Sequence, residues 1–172
     1  MHSRFYTRLT GRTGPGAGRP SKLYRRASRN LSVSLPERRY DLAGEVLAAA
    51  VDQSAREGTP IAEVVKQVAH ATGSGIASER TPPRGAGRAA KTARLVEVLA
   101  DHGYEPRQMD DDVCLTNCPF DRLAAGHTEL VCGMNLALVD GVIDGLHIEC
   151  MSARLEPQPG FCCVKVAPLP RS

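Results

Sequence analysis

The chain has 172 residues, of which 42% are hydrophobic, so it can build one ordinary domain with a core of its own, alone or with a small appendage. Its N-terminus lacks the apolar segment of a signal peptide, and no run approaches the roughly 20 apolar residues of a membrane helix. We therefore expect a soluble, cytoplasmic protein with no membrane partner.

The basic charge is concentrated at the N-terminus. Residues 1–39 contain ten Lys or Arg residues and one acid, Glu37, which gives a charge of +9. The remaining 133 residues contain 12 basic and 18 acidic residues, which gives −6. This segregation predicts a polyanionic partner. DNA is the first candidate, because phosphate contacts by Lys and Arg supply most non-specific affinity for nucleic acids.

Two short β-compatible runs, residues 4–10 and 21–27, flank a segment that cannot be helical. That segment, residues 11–20, contains four glycines and two prolines. The pattern predicts a hairpin with a basic tip, with a disordered tail as the alternative.

Residues 11–25, GRTGPGAGRPSKLYR, resemble the wing of winged helix-turn-helix transcriptional regulators of the ArsR/DeoR-like group, which is common in actinobacteria. The resemblance implies DNA contacts by five basic residues: Arg8, Arg12, Arg19, Lys22 and Arg25. In that family three helices precede the wing, whereas only three residues precede the first strand here. Residues 1–33 would therefore be a partial winged-helix segment from which the helix-turn-helix is mostly missing.

Two helices are predicted over residues 34–73. Ser34 to Glu37 has the pattern of a capping box, and Gly58 ends the first helix. Its apolar face is predicted to contain Tyr40, Ala43, Leu47, Ala50 and Val51. Thr59 and Pro60 cap the second helix, with an apolar stripe of Ile61, Val64, Val65 and Val68, before Gly73 stops it. Both helices could serve as dimerisation or connector helices, or pack on their own domain.

Residues 74–172 are predicted to form a sensor domain. It begins with a surface loop that extends from Gly73 to Gly87, followed by a helix over 88–102 that Gly103 ends. A hairpin follows over 104–114. Its tip, Asp110 to Asp112, fits a solvated turn better than a cation site.

Two cysteines bracket the start of the most apolar helical pattern in the chain. Cys118 directly precedes Pro119, with Asp121 shortly after, and this order is typical of a helix start. A thiol there faces the positive end of the helix, which stabilises a thiolate. Cys132 lies within an apolar stretch that predicts a buried helix.

The last elements are predicted to be strands over 147–155 and 161–166, joined across 156–160. Strand alternation places Cys162 and Cys163 on opposite faces, so only one of them can reach a given site. The predicted fold class is α+β: an N-terminal wing-like hairpin, a helical segment, and helices packed on a small antiparallel sheet.

Six cysteines without an export signal favour metal, cluster or redox chemistry over a disulfide framework. The absence of any CxxC pair disfavours a zinc ribbon or finger. Two alternatives stay open. The cysteines can be small buried hydrophobes, for which Cys150 is the strongest case. Cys118 can also be a redox nucleophile with Cys114 as its resolving partner.

The C-terminal region resembles the sensor half of the same regulators in the blocks GYEP (103–106), NCPF (117–120), LA (123–124), His127, GMNLAL (133–138) and PGFCCV (159–164). One branch of that group comprises repressors of iron–sulfur assembly genes. The resemblance implies that Cys118, Cys132 and either Cys162 or Cys163 ligate an iron–sulfur cluster, with Cys114 as a candidate fourth ligand.

These features lead to one functional expectation and one alternative. We expect a homodimeric, DNA-binding transcriptional repressor, not an enzyme, with a C-terminal domain that senses an effector, a metal or an iron–sulfur cluster. The alternative is a dimerisation or ligand-binding module that derives from such a regulator and does not bind DNA.

Overall fold

The computed structural model describes residues 36–78, 80 and 85–169 in full, and the backbone of residues 6–9 and 23–26. The chain divides into two compact units, Met1–Ser34 and Leu35–Ser172. In the first unit, strands β1 (Tyr6–Leu9) and β2 (Leu23–Arg26) pair antiparallel, as the predicted hairpin requires. The hairpin tip lies outside the described residues. So do Arg12, Arg19 and Lys22, together with the side chains of Arg8 and Arg25.

The second unit has the predicted α+β architecture, in which helices pack against one face of a small antiparallel sheet. Its elements are α1 (Tyr40–Glu57), α2 (Ile61–Ser78), α3 (Arg88–Ala100), β3 (Pro106–Met109), β4 (Asp112–Leu115), α4 (Asp121–Gly126), α5 (Thr128–Gly145), β5 (Met151–Leu155) and β6 (Val164–Pro168). None of the helices in the described ranges is long and apolar enough to cross a membrane.

The sheet has the strand order β3-β4-β6-β5, and all its neighbours are antiparallel. Val113 and Ala153 lie opposite Val166 on either side of the central strand β6. The side chains of Val113 and Val166 are fully buried beneath the helices. The Asp140 carboxylate of α5 accepts a hydrogen bond from the Ala153 backbone N–H at 3.3 Å, which fixes α5 against the edge strand β5.

Helices α2 and α5 approach so closely that their backbones touch at glycines. A Cβ atom on Gly73 of α2 would lie 2.0 Å from the Leu138 carbonyl oxygen of α5. A Cβ atom on Gly141 of α5 would likewise lie 2.0 Å from the His70 carbonyl oxygen of α2. Only glycine fits at such a contact, so Gly73 is a packing residue. The prediction that Gly73 stops the helix is wrong, because α2 continues to Ser78.

The predicted boundary between residues 73 and 74 lies inside α2, so the helices of 34–73 do not form a separate segment. The buried face of α2 includes Val64 and Val65 and packs within its own unit. Two residues predicted for the apolar stripes are exposed instead: Val51 and Ile61.

The start of α1 differs from the predicted capping box. The helix begins at Tyr40, and Arg39 occupies the N-cap without a side-chain capping bond. The Arg39 backbone N–H instead donates to the Pro119 carbonyl at 3.1 Å, which keeps this part of the chain out of the helix. The predicted end of α1 is confirmed, because Gly58 has a left-handed backbone with φ of 71°.

The middle of the unit follows the sequence prediction closely. Gly103, with φ of 82°, follows α3, and the 104–114 hairpin turns at Asp110, with φ of 54°. The last two strands are shifted. The strand predicted from residue 147 begins at Met151, because His147 has a positive φ of 53° and belongs to a turn after α5.

We predict that Gly73→Ala lowers the free energy of unfolding by about 1–3 kcal/mol, because the new methyl group must push α5 away. Gly75→Ala is the matched control in the same helix, since a Cβ there meets nothing within 4 Å. It should raise stability by about 0.5–1 kcal/mol. Urea unfolding measures both, and equal midpoints for the two variants would contradict the close contact.

Candidate functional site

Three thiols meet between the sheet and α5. Cys118 lies in the turn between β4 and α4, and Cys162 and Cys163 lie just before β6. The Cys118 and Cys162 side chains interact, and so do those of Cys162 and Cys163, closely enough that each interaction shifts a thiol pKa. Cys162 is only 4% exposed, and the other two are half-buried. We call Cys118, Cys162 and Cys163 the thiol cluster.

Asn135 of α5 holds the thiol cluster in place. This side chain is 0% exposed, and its Nδ2 donates to the Cys162 Sγ at 3.2 Å. Its Oδ1 accepts a hydrogen bond of 2.5 Å from the Tyr104 hydroxyl, which fixes the orientation of the amide. Tyr104 in turn packs edge-on against Phe120, with ring centroids 6.5 Å apart. A chain of buried contacts therefore joins the thiol cluster to α5.

The sequence analysis assigns no role to Asn135. The feature that points to it is a single carboxamide in a helix that is otherwise apolar on nearly all sides. Because a buried amide requires partners, such a residue marks a hydrogen-bonded site and not simple packing.

The turn that carries Cys118 is held by its neighbours. The Asn117 side-chain amide, 6% exposed, donates to the Gly103 carbonyl at 2.6 Å and to the Glu37 carbonyl at 3.0 Å. The Arg38 Nη1 donates to the Cys118 carbonyl at 2.8 Å and also to the Asn117 Oδ1. The position of Cys118 is therefore fixed by residues that precede α1.

Cys118 does not carry the expected thiolate. Helix α4 begins at Asp121 with Phe120 as its N-cap, and the Cys118 carbonyl accepts the Asp121 N–H at 3.2 Å. The side-chain hydrogen bond with Cys162 and burial raise the pKa of the Cys118 thiol far above its usual value, although a backbone hydrogen bond from Phe120 lowers it. Cys118 is therefore a protonated thiol, which does not favour a redox nucleophile.

The pKa of Cys162 is raised to about 11. Its hydrogen bond with Cys118 lowers the pKa, but the hydrogen bond with Cys163 and burial raise it by more. Burial also raises the pKa of Tyr104 well above its usual value. Cys118 and Cys162 are therefore neutral thiols in this state.

Cys162 and Cys163 differ in burial, as the predicted strand alternation requires. Cys162 is buried, like Val164 and Val166, and Cys163 is half-buried, like Lys165. The Cys162 backbone N–H donates to the Leu115 carbonyl at 2.8 Å, which anchors the segment beside β4, and β6 begins at Val164. The Cys163 side chain nevertheless lies close enough to Cys162 to raise its pKa.

Cys132 lies on α5, close to Asn135. It is 8% exposed and lies three residues before Asn135 on α5, so the two side chains are neighbours on the helix. Cys132 and Cys163 both line a groove of about 1180 Å³ between α2, α5 and β5. Apolar groove residues include Val65, Leu136, Ala137 and Leu155, and charged ones include Lys66 and Asp140.

Two cysteines lie away from this site. Cys114 alternates with the buried Val113 and Leu115 along β4, so its side chain projects from the opposite face of the sheet. The structure therefore does not bring Cys114, the candidate fourth ligand, to the other thiols. Cys150 is exposed, not buried as its interpretation as a packing residue required.

The donor set fits an iron–sulfur cluster in kind. Within the described ranges, no three His, Cys, Asp or Glu side chains are arranged to bind a single metal ion. An iron–sulfur cluster differs, because its cysteines bind different iron atoms and do not converge on one point. Cys162 contacts Asn135, Cys132 lies one turn earlier on α5, and Cys118 and Cys163 interact with Cys162. Thiols are the ligand type that such clusters use.

No family model matches the chain, and no curated protein or solved structure matches it at a significant level. The functional argument therefore rests on the sequence and on the geometry of the thiol cluster.

We predict that Tyr104→Phe lowers the free energy of unfolding by about 1–3 kcal/mol, because it leaves the buried Asn135 carbonyl oxygen without its donor. Tyr40→Phe is the matched control, since the buried Tyr40 hydroxyl has no partner among the described residues. That variant should be neutral or slightly more stable. If urea unfolding gave the same loss for both, the Tyr104–Asn135 bond would have no special role.

Proposed function

We propose that the protein is a transcriptional repressor whose C-terminal unit senses its effector at the thiol cluster, with an iron–sulfur cluster as the first candidate. It is a regulator and not an enzyme. The observation that carries the proposal is that Cys118, Cys162 and Cys163 interact beside the buried Asn135, with Cys132 one turn away on α5, in a chain with a basic N-terminal segment.

Each residue of the site has a distinct part in this proposal. Cys118, Cys132 and Cys162 are ligands, and Cys163 takes the fourth position in place of the predicted Cys114. An iron–sulfur cluster, when bound, supplies one-electron chemistry and sensitivity to oxidants. The Asn135 N–H orients the Cys162 sulfur and stabilises negative charge on it, as hydrogen bonds to ligand sulfurs do.

The N-terminal segment supplies the DNA contacts in this proposal. Arg8, Arg12, Arg19, Lys22 and Arg25 bind phosphates or the minor groove, and the acidic remainder of the chain is kept away from the polyanion. The protein acts as a homodimer, which the exposed apolar side chains of α1 and α2 support. The six free thiols support a cytoplasmic location, where cysteines stay reduced.

Anaerobic reconstitution with ferrous iron and sulfide tests the sensor. The wild-type chain should become coloured, with visible absorption and with iron and sulfide bound. Cys118→Ser, Cys132→Ser and Cys162→Ser should each lower iron affinity about tenfold or more, since they remove ligands. Cys150→Ser and Cys114→Ser should retain wild-type iron content, because neither side chain lies at the site.

Two outcomes would refute this assignment. A wild-type chain that stays colourless and iron-free after reconstitution would exclude an iron–sulfur sensor. Loss of iron in Cys114→Ser comparable to that in Cys162→Ser would show that the ligand set differs from the one proposed.

The salt dependence of DNA binding tests the N-terminal contacts. Five phosphate contacts give a slope of about −4.5 for log K against log salt concentration. The double variant Arg12→Gln/Arg19→Gln should reduce that slope by about 2 in magnitude. Arg56→Gln/Arg94→Gln removes the same charge from α1 and α3 and should leave the slope unchanged. Equal slopes for both double variants would place the DNA contacts elsewhere.

The groove beside Cys132 favours a second candidate function. A concave, mostly apolar site of about 1180 Å³ is large enough for a small organic effector. In that case the chain is a ligand-binding module, and the thiols are packing residues. Reconstitution separates the two candidates, because a pure ligand-binding module would take up no iron.

A further inference from the structure

The segment that leads out of the N-terminal unit is hydrogen-bonded to the turn that carries Cys118. The first unit ends at Ser34, and the chain then passes through residues 36–39 into α1. These residues contact the turn at 117–119, about 80 positions further along the chain. No sequence motif indicates this connection.

Three kinds of contact form the connection. The Arg38 guanidinium donates to the Cys118 carbonyl at 2.8 Å and to the Asn117 side-chain oxygen. The Asn117 amide donates to the Glu37 carbonyl at 3.0 Å. The Arg39 backbone N–H donates to the Pro119 carbonyl at 3.1 Å. Side chain and backbone on both segments thus take part.

The connection is partly shielded from water, which strengthens it. The Arg38 side chain is 17% exposed, and Asn117 is more deeply buried. Asn117 also donates to the Gly103 carbonyl at 2.6 Å, so its amide has no spare donor. A shift of the turn therefore leaves buried polar groups without partners, and the contacts should break together.

Cys118 belongs to both the connection and the thiol cluster. Its carbonyl oxygen accepts a hydrogen bond from Arg38, while its side chain interacts with that of Cys162. A ligand or modification that shifts the Cys118 main chain therefore acts on a carbonyl group that Arg38 holds. Both contacts belong to the same residue.

We propose that the Arg38–Asn117 connection couples the thiol cluster to residues 36–39. Through this connection, the state of the cluster controls whether residues 36–39 are ordered, and in this way it acts on the N-terminal unit that precedes them in the chain. Its regulatory meaning rests on the proposed function. The physical coupling between Cys118 and residues 36–39 does not.

Thiol modification and hydrogen exchange test the coupling in the full chain. Exposed Cys150 is first replaced by Ser, and the protein is treated with methyl methanethiosulfonate. The reagent forms an S–S bond to the cysteine sulfur, and methanesulfinic acid leaves with the thiol proton. Mass spectrometry confirms modification at Cys118 or Cys162. Amide exchange is then followed in the peptide that covers residues 36–39.

Modification should speed exchange in this peptide about tenfold in the parent chain, as expected for the loss of a charge-assisted hydrogen bond. Arg38→Lys keeps the positive charge but loses the planar guanidinium. Its unmodified form should already exchange about tenfold faster, and modification should add less than about twofold. Arg39→Lys is the matched control, because the described contacts of that side chain do not reach the 117–119 turn, and it should behave as the parent.

Unchanged exchange in residues 36–39 after confirmed modification of Cys118 would overturn the coupling. So would equal behaviour of Arg38→Lys and Arg39→Lys. If the peptide responds as expected but DNA affinity is the same before and after modification, the coupling stands and the proposed repressor function fails.

Discussion

The hydrogen bond from the Asn135 amide to the Cys162 sulfur is the interaction on which the site depends. A fully buried carboxamide is stable only with its partners in place, and Tyr104 and Cys162 supply them. The helix can lie where this is possible because Gly73 and Gly141 let α2 and α5 touch backbone to backbone. Core packing and the thiol cluster are therefore parts of one arrangement.

The arrangement gives the thiols a defined resting state. The interaction with Cys162 and burial raise the pKa of Cys118. The interaction with Cys118 lowers the pKa of Cys162, but Cys163 and burial raise it by more, so both thiols are protonated and neutral. Ligation or modification of the thiols replaces these interactions and adds charge or atoms to a site that was neutral and packed. Because Arg38 holds the Cys118 backbone, such a change reaches the segment before α1 directly. A sensor requires two states with different contacts, and this site can supply them.

Local signals in the sequence predicted the α+β class and the 104–114 hairpin. They also predicted that helices end near Gly58 and Gly103, because a positive φ at a glycine is a local property. Gly73 has the same residue type but serves close packing with α5, which no local signal specifies. The cysteines show the same limit. The cap pattern at Cys118 suggests a helix start there, but α4 begins only at Asp121, and the contacts that Arg38 and Asn117 make with this turn are long-range.

The central claim is that Cys118 meets Cys162 and Cys163, and not its closer sequence neighbour Cys114. Oxidation of the native full chain with diamide, which joins adjacent thiols and is itself reduced, tests this directly when the peptides are mapped by mass spectrometry. The account predicts a disulfide between the peptide with Cys118 and the peptide with Cys162 and Cys163, with Cys114 left free. A dominant Cys114–Cys118 disulfide, or a free Cys118 thiol after complete reaction, would contradict it.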